Sequence, residues 1–243
     1  KGKENFDKLF KDGIYFQDEQ ECYYIYAQTM NGRTQYGIVG GASVDDYVND
    51  VIKKHELTRP DKEEDRKNHV RVSSLNYEPV FFAFRHVASL DALVNEIIKA
   101  EPEYNFVTED GIGHQFWVVS DKNRIDRITN YFAAIPKTYV ADGHHRTAAA
   151  ALVGKERREN NPKHTGKEEY NFFLAVHFPD NQLAILDYNR VVKDLNGLTQ
   201  DQFKNAISKS FDIEEKGSIA YRPEHLHEFG MYLGKQWYKL TAK

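Results

Sequence analysis

The sequence predicts an α+β fold with a mixed sheet, several hairpins and flanking helices, and three observations carry that prediction. Helix-like and strand-like segments alternate along the chain. Turn dipeptides stand between pairs of aromatic and β-branched runs, as hairpins require. No internal repeat or low-complexity tract interrupts the pattern. With 243 residues, 40% hydrophobic and 29% charged, the chain can bury a real core and is ordinary in composition. Residues 1–243 read as one α+β domain.

ECYYIYAQTM and RTQYGIVGG flank Asn31-Gly32 and predict the first hairpin. Ser43 with Asp46 marks a helix start, and Tyr47, Val48, Val51 and Ile52 share a helical face, so a helix is expected to run to about Lys54. Pro60 disfavours helical geometry at Arg59 and ends that element. DKEEDRKNHVRVSSL is a charged helix, PVFFAFRH a buried strand and SLDALVNEIIKA an amphipathic helix. YNFVTE and HQFWVVS flank Asp110-Gly111 and predict a second hairpin, followed by a helix in DKNRIDRITNYFA. KERRENNPKHTGKEE reads as a solvated loop. NFFLAVHF and LAILDYNRVV are expected to pair across Pro179-Asp180-Asn181. Thr199 with Gln202 caps a further helix, and MYL with QWYKLTA makes a last hairpin around Gly234-Lys235.

A net charge of −4 gives no general affinity for polyanions, so nucleic acid is not an expected partner. The single cysteine, Cys22, rules out an internal disulfide and suits a reducing cytoplasm. No apolar run approaches the ~20 residues that span a bilayer, and no signal peptide precedes the first strand. A cytoplasmic protein without a membrane partner is expected. The chain opens at Lys1 without Met and is expected to be a piece of a longer one.

The segment TYVADGHHRTAAAALV, residues 138–153, concentrates the chemistry. A short apolar strand stops at Asp142 and Gly143, and an alanine-rich helix begins within a few residues. Such a link sets a helix N-terminus at a strand's carboxyl end, where unpaired N–H groups and the helix dipole attract anions. Gly143 lets a phosphate approach the backbone, Arg146 offers a planar fork matched to phosphate oxygens, and His144 and His145 add donors. Asp142 suits this setting as a helix cap or as a ligand for a cation such as Mg²⁺. A capped turn bearing surface histidines is the competing reading.

The pattern A-D-G-H-H-R-x-x-A-A after an apolar strand resembles the signature of the bacterial domain-of-unknown-function family 1015 (DUF family 1015). Other stretches share the resemblance: His55-Glu56-x-Thr58 with Glu64-Asp65-Arg66, Gly113-His114-x-x-Trp117, Tyr170-Asn171-x-Phe173, and Leu186-Asp187-Tyr188-Asn189-Arg190. It extends over nearly the whole chain. That family is related in fold to the ParB and sulfiredoxin superfamily and to free serine kinases. The resemblance therefore implies a ParB/sulfiredoxin-like core over about 40–155 with a C-terminal β-rich part over 168–243, in a chain longer at both ends.

Carried over by residue, the resemblance makes Gly143, His144, His145 and Arg146 a nucleotide phosphate site. Sulfiredoxin-like members keep a reactive cysteine in this turn, but here the place is taken by His144 or its neighbour, so sulfinic acid reduction is not implied. ParB-like members bind DNA through a separate helical domain, and no basic helix-turn-helix is evident here. The serine kinases carry an Asp-Gly-His-x-Arg version, the nearest to this chain, and take their base from an earlier glutamate.

Glu56 is the candidate for that base, with a solvated helix end as its alternative. His55, Asn189 and Arg190 are candidate substrate contacts; for Asn189, Arg190 and Asp187, structural hydrogen bonding is equally compatible. Arg59 and Arg66 are either phosphate contacts or charged-helix surface, and His114 reads as a hairpin histidine. No transition-metal site is expected: adjacent histidines seldom face one ion, and His225-x-His227 has no third ligand. There is no G-x-G-x-x-G and no Walker lysine motif. The expected activity is a nucleotide-dependent phosphotransferase acting on a small hydroxyl compound, with ATP or ADP and Mg²⁺ as cofactor. The alternative is a non-catalytic nucleotide-binding regulatory module of the ParB-like type.

Overall fold

Asn31 takes a positive φ of 53° in the computed structural model, which describes residues 2–57 and 60–243. With Gly32 it closes β1 (Tyr23–Met30) onto β2 (Arg33–Ser43), Met30 opposite Arg33, as the dipeptide predicts. Thr58 and Arg59, and the expectations that rest on them, lie outside the described residues.

Contacts divide the chain into two compact units, Lys1–Ala184 and Ile185–Lys243. In the first, α1 (Gly2–Lys11) precedes the hairpin, and α2 (Val44–Val48), β3 (Ile52–Lys53), α3 (Pro60–Ser73) and β4 (Val80–Phe84) follow it. Next come α4 (Ala88–Ile97), β5 (Tyr104–Val107), β6 (Gly113–Val119), α5 (Lys122–Ala134), β7 (Thr138–Asp142), α6 (His144–Glu159) and β8 (Phe172–Pro179). The eight strands form one sheet in the order β3-β7-β4-β8-β2-β1-β6-β5. It is mixed: β3 runs parallel to β7 and β4 parallel to β8, while the other neighbours are antiparallel. The α+β class therefore holds.

Two buried clusters form the core. Ile25, Ile38, Phe84 and Trp117 pack with Leu90, Leu93 and Ile97 of α4 and Ile128 of α5. Ala42, Phe82, Val140, Phe173 and Ala175 pack with Val44 of α2 and with Ala150 and Ala151 of α6. Phe82 and Phe84 stand two apart on β4 and so face one way, which puts both clusters on the same side of the sheet. The small side chains of α6 let its backbone lie close to the strands.

Three expectations need correction. The helix from Ser43 stops at Val48 and does not run to Lys54. Ser43 Oγ caps it as expected, but Asp50 turns left-handed (φ 59°) and Ile52 is buried as a strand residue beside Thr138. KERRE is helix, not loop: Glu156 accepts both Arg71 Nε (2.8 Å) and Nη2 (2.6 Å), and Arg158 Nε donates to Asn171 Oδ1 (2.6 Å). LAILDYNRVV does not pair with NFFLAVHF. Both edges of β8 are already filled, by β2 and β4, so it lies inside the sheet and no hairpin partner can join it.

In the second unit, α7 (Gln200–Ile207) starts at the predicted capping box, with Thr199 Oγ1 and Gln202 Oε1 each accepting the other's backbone N–H. β9 (Phe211–Gly217), β10 (Glu228–Leu233) and β11 (Gln236–Ala242) form an antiparallel sheet in the order β10-β11-β9. No helix among the described residues is long and apolar enough to cross a membrane.

Candidate functional site

Strand β7 delivers Asp142, and the chain turns at Gly143 into α6. Gly143 has φ +93°, a conformation that L side chains rarely adopt, and its carbonyl accepts the Thr147 N–H (2.9 Å) and hydroxyl (3.0 Å). The helix has no side-chain cap at this end. A Cβ on residue 143 would stand 2.9 Å from Val80 Cγ1 and 3.0 and 3.1 Å from Nη2 and Nε of Arg146. The glycine thus lets the turn pack closely against Val80 and the Arg146 fork, where a methyl group would collide.

The other donors of that fork are engaged. Nη1 donates to Glu78 Oε2 (2.9 Å) and to the Pro79 carbonyl (3.2 Å), and Nη2 donates to Asp142 Oδ2 (2.6 Å). A guanidinium has five N–H groups, so Nε–H and the second Nη2–H have no partner among the described residues. These remaining donors are ones that phosphate oxygens could take. Glu78 and Asp142 hold the fork in place.

His144 is the first residue of α6 and its side chain is only 6% exposed. Its Nδ1 lies 3.8 Å from Glu56 Oε2, a charge contact too long for a hydrogen bond. Its ring meets that of His55 edge-on, centroids 4.3 Å apart. Its Nε2 is buried without a hydrogen-bond partner. Burial, aided by His55, holds the His144 pKa below the usual imidazole range, against the opposing pull of Glu56 and Asp142. The ring is therefore neutral near pH 7 and gives Glu56 an uncharged wall.

Glu56, Lys62, Asp65, Arg66, Glu78 and residues 142–146 line one cleft of about 520 Å³. Glu56 and the 142–146 turn, far apart in sequence, thus meet, and His55 joins them through His144. Glu56 and Asp142 remain wet, their side chains 62% and 72% exposed. Four carboxylates and three permanent cations share the cleft, so a phosphate accompanied by a divalent cation suits it better than a bare polyanion. Sequence reasoning missed Glu78 and Lys62. Nothing local marks Glu78, which stands before Pro79 and 68 positions from the arginine it binds.

Asn189 and Arg190 belong to the second unit and are exposed on irregular backbone, the Arg190 guanidinium stacking on Tyr188 at 3.9 Å. Asp187 pairs with Arg222 (3.2 Å). His114 is a hairpin histidine, bonded to the Tyr26 hydroxyl (2.7 Å) and stacked on Phe106. Burial and Asp18 push the Cys22 thiol up, opposite to what a nucleophilic thiolate needs. Among the described residues no three or more His, Cys, Asp or Glu side chains gather to hold a metal.

Fold and site define an α+β protein with a polar cleft at the start of a buried helix. The chain belongs to the family described as protein of unknown function (DUF1015), whose model matches residues 1–243. No curated protein and no solved structure matches it.

Proposed function

We propose that the cleft binds ATP or ADP with Mg²⁺ and transfers the terminal phosphoryl group to a small hydroxyl compound. The Arg146 guanidinium, which keeps donors without a partner among the described residues and lines the same cleft as Glu56, carries this reading. Arg146, Gly143 and His145 hold phosphate oxygens, and the positive end of the α6 dipole adds to them. Asp142 supplies hard oxygen for Mg²⁺, which needs only one or two carboxylates because phosphate and water complete its shell; when bound it neutralises phosphate charge. Glu56 accepts the hydroxyl proton as that oxygen bonds to phosphorus, and the leaving nucleotide keeps the electron pair of the broken P–O bond. The neutral His144 ring keeps the base from being bound by a second cation. The Asp-Gly-His-x-Arg likeness to free serine kinases and the wider ParB/sulfiredoxin resemblance support the same reading. The single cysteine and the net charge of −4 suit a cytoplasmic enzyme that does not bind nucleic acid.

Calorimetric titration with ADP and ATP, with and without Mg²⁺, tests the binding half, because a ligand of the native state also raises thermal stability by mass action. Phosphorylated product formed from serine, or from other small hydroxyl compounds, tests the catalytic half. Binding without any product would leave a nucleotide-binding module. Absence of binding would end both readings.

A further inference from the structure

The phosphate cleft shares a wall with a second, apolar pocket of about 350 Å³, within reach of the volumes that small-molecule sites occupy. Arg66, Glu78 and Arg146 line both spaces. Val80 and Ala149, both fully buried, make the pocket's floor, and Val70 and half-buried Leu75 its side. Tyr77, 48% exposed, stands at the lip and is held edge-on by Phe6 of α1 (centroids 6.3 Å apart). The wall between them is thin: Gly143 packs against Val80 on one side and the Arg146 fork on the other, a Cβ on residue 143 lying 2.9 Å from Val80 Cγ1 and 3.0 Å from Arg146 Nη2.

We infer that this pocket seats the heteroaromatic ring of a nucleotide whose phosphates lie at the Arg146 edge; the inference rests on the phosphate reading of that edge. A ligand crossing from charge to apolar surface over so short a path needs a polar anionic end and a flat apolar end. Arg66 and Arg146 add planar cations, which stack on aromatic faces more readily than on aliphatic chains. The Asn76 carboxamide also lines the pocket and has no hydrogen-bond partner among the described residues. It offers donors and an acceptor that the polar edge of a nucleobase can meet.

The test compares ADP with inorganic pyrophosphate, both with Mg²⁺, by calorimetric titration. The parent is expected to bind ADP at least tenfold more tightly than pyrophosphate. Leu75→Trp fills the pocket and should erase that excess while changing pyrophosphate affinity by less than twofold. Asn76→Ala, at an exposed position and safe for folding, should weaken ADP binding while leaving pyrophosphate affinity within twofold. Equal affinities of the parent for ADP and pyrophosphate, or ADP affinity untouched by both substitutions, would overturn the inference and leave the phosphate site standing. No binding of either ligand by the parent would overturn the phosphate site, and this inference with it.

Discussion

Nδ1 of His144 stands 3.8 Å from Oε2 of Glu56, a dry ring beside a wet carboxylate. The far nitrogen of that ring has no hydrogen-bond partner. A buried orphan polar atom costs roughly 1–3 kcal/mol, whereas an apolar side chain of similar shape costs nothing of the kind. His144→Leu should therefore leave stability unchanged or raise it by about 1 kcal/mol, within what relief of an orphan can return. Urea unfolding at pH 7 reads this directly. A loss of about 1 kcal/mol or more, the least that breaking a buried hydrogen bond costs, would show that Nε2 is satisfied in solution.

Stability should fall on acidification below neutrality. The His177 ring lies between Phe82 and Phe132, centroids 5.2 and 5.1 Å away, and burial pushes its pKa from 6.5 down to about 4. Below pH 6.5 the unfolded chain takes up a proton that the folded chain declines, so the His177 contribution drops from there to about pH 4 and levels beneath it, where carboxylates held low, such as Glu168 and Glu228, continue the loss. His144, lowered in the same direction, adds to the slope. His177 is only half-buried, so the loss between pH 7 and 5 is at most about 2 kcal/mol by linkage. His177→Phe should remove that share. Identical pH slopes for parent and variant in urea unfolding would refute it.

Gly154 packs α6 against the turn before β8. A Cβ there would lie 2.5 Å from the Tyr170 carbonyl oxygen and 3.3 Å from Val44 Cγ2. Alanine gains ~1 kcal/mol of helix propensity over glycine. Forcing backbone apart in a filled core costs about 1–3 kcal/mol. The steric cost should win, and Gly154→Ala should lower the thermal midpoint. A rise would mean that the turn before β8 yields freely.

What was legible in the sequence was local. Asn31-Gly32 and the Thr199–Gln202 box act within a few residues, and each formed as read. The 138–153 segment was legible because its strand, glycine and helix are consecutive. What failed depends on partners remote in sequence. Val51-Ile52 has the apolar spacing of a helix, but Ile52 is buried by pairing with Thr138, which no local signal announces. Glu156 and Arg158 look like loop residues until Arg71 and Asn171 meet them. β9 escaped notice because only Phe211 and Ile213 alternate before the charges of Glu214 and Glu215.

Arg146→Lys should weaken nucleotide binding by about 1–3 kcal/mol, since lysine replaces a two-pronged edge with a point charge and also loses the contacts to Glu78 and Asp142. Gly143→Ala should weaken it further, because the methyl group enters the space beside Nε and Nη2 and the backbone is strained at φ +93°. Calorimetric titration with ADP and Mg²⁺ checks both. Affinity unchanged in either variant would remove the fork's free edge from the site.

Glu56→Gln separates catalysis from binding. The carboxylate is 62% exposed and points into the cleft shared with Arg146, so an amide of the same shape disturbs neither fold nor phosphate contacts. It cannot take a proton. A general base contributes ~10²–10⁴-fold to rate and need not contribute to ground-state affinity. Glu56→Gln should therefore bind ADP with Mg²⁺ within about twofold of the parent, an energy difference below 0.5 kcal/mol by the affinity relation, and transfer phosphate at least ~10²-fold more slowly. The assay follows phosphorylated serine first and other small hydroxyl compounds next. Transfer at the parental rate would show that another group accepts the proton. The neutral imidazole of His144 would then be the next to test, since it is the basic group nearest the same carboxylate.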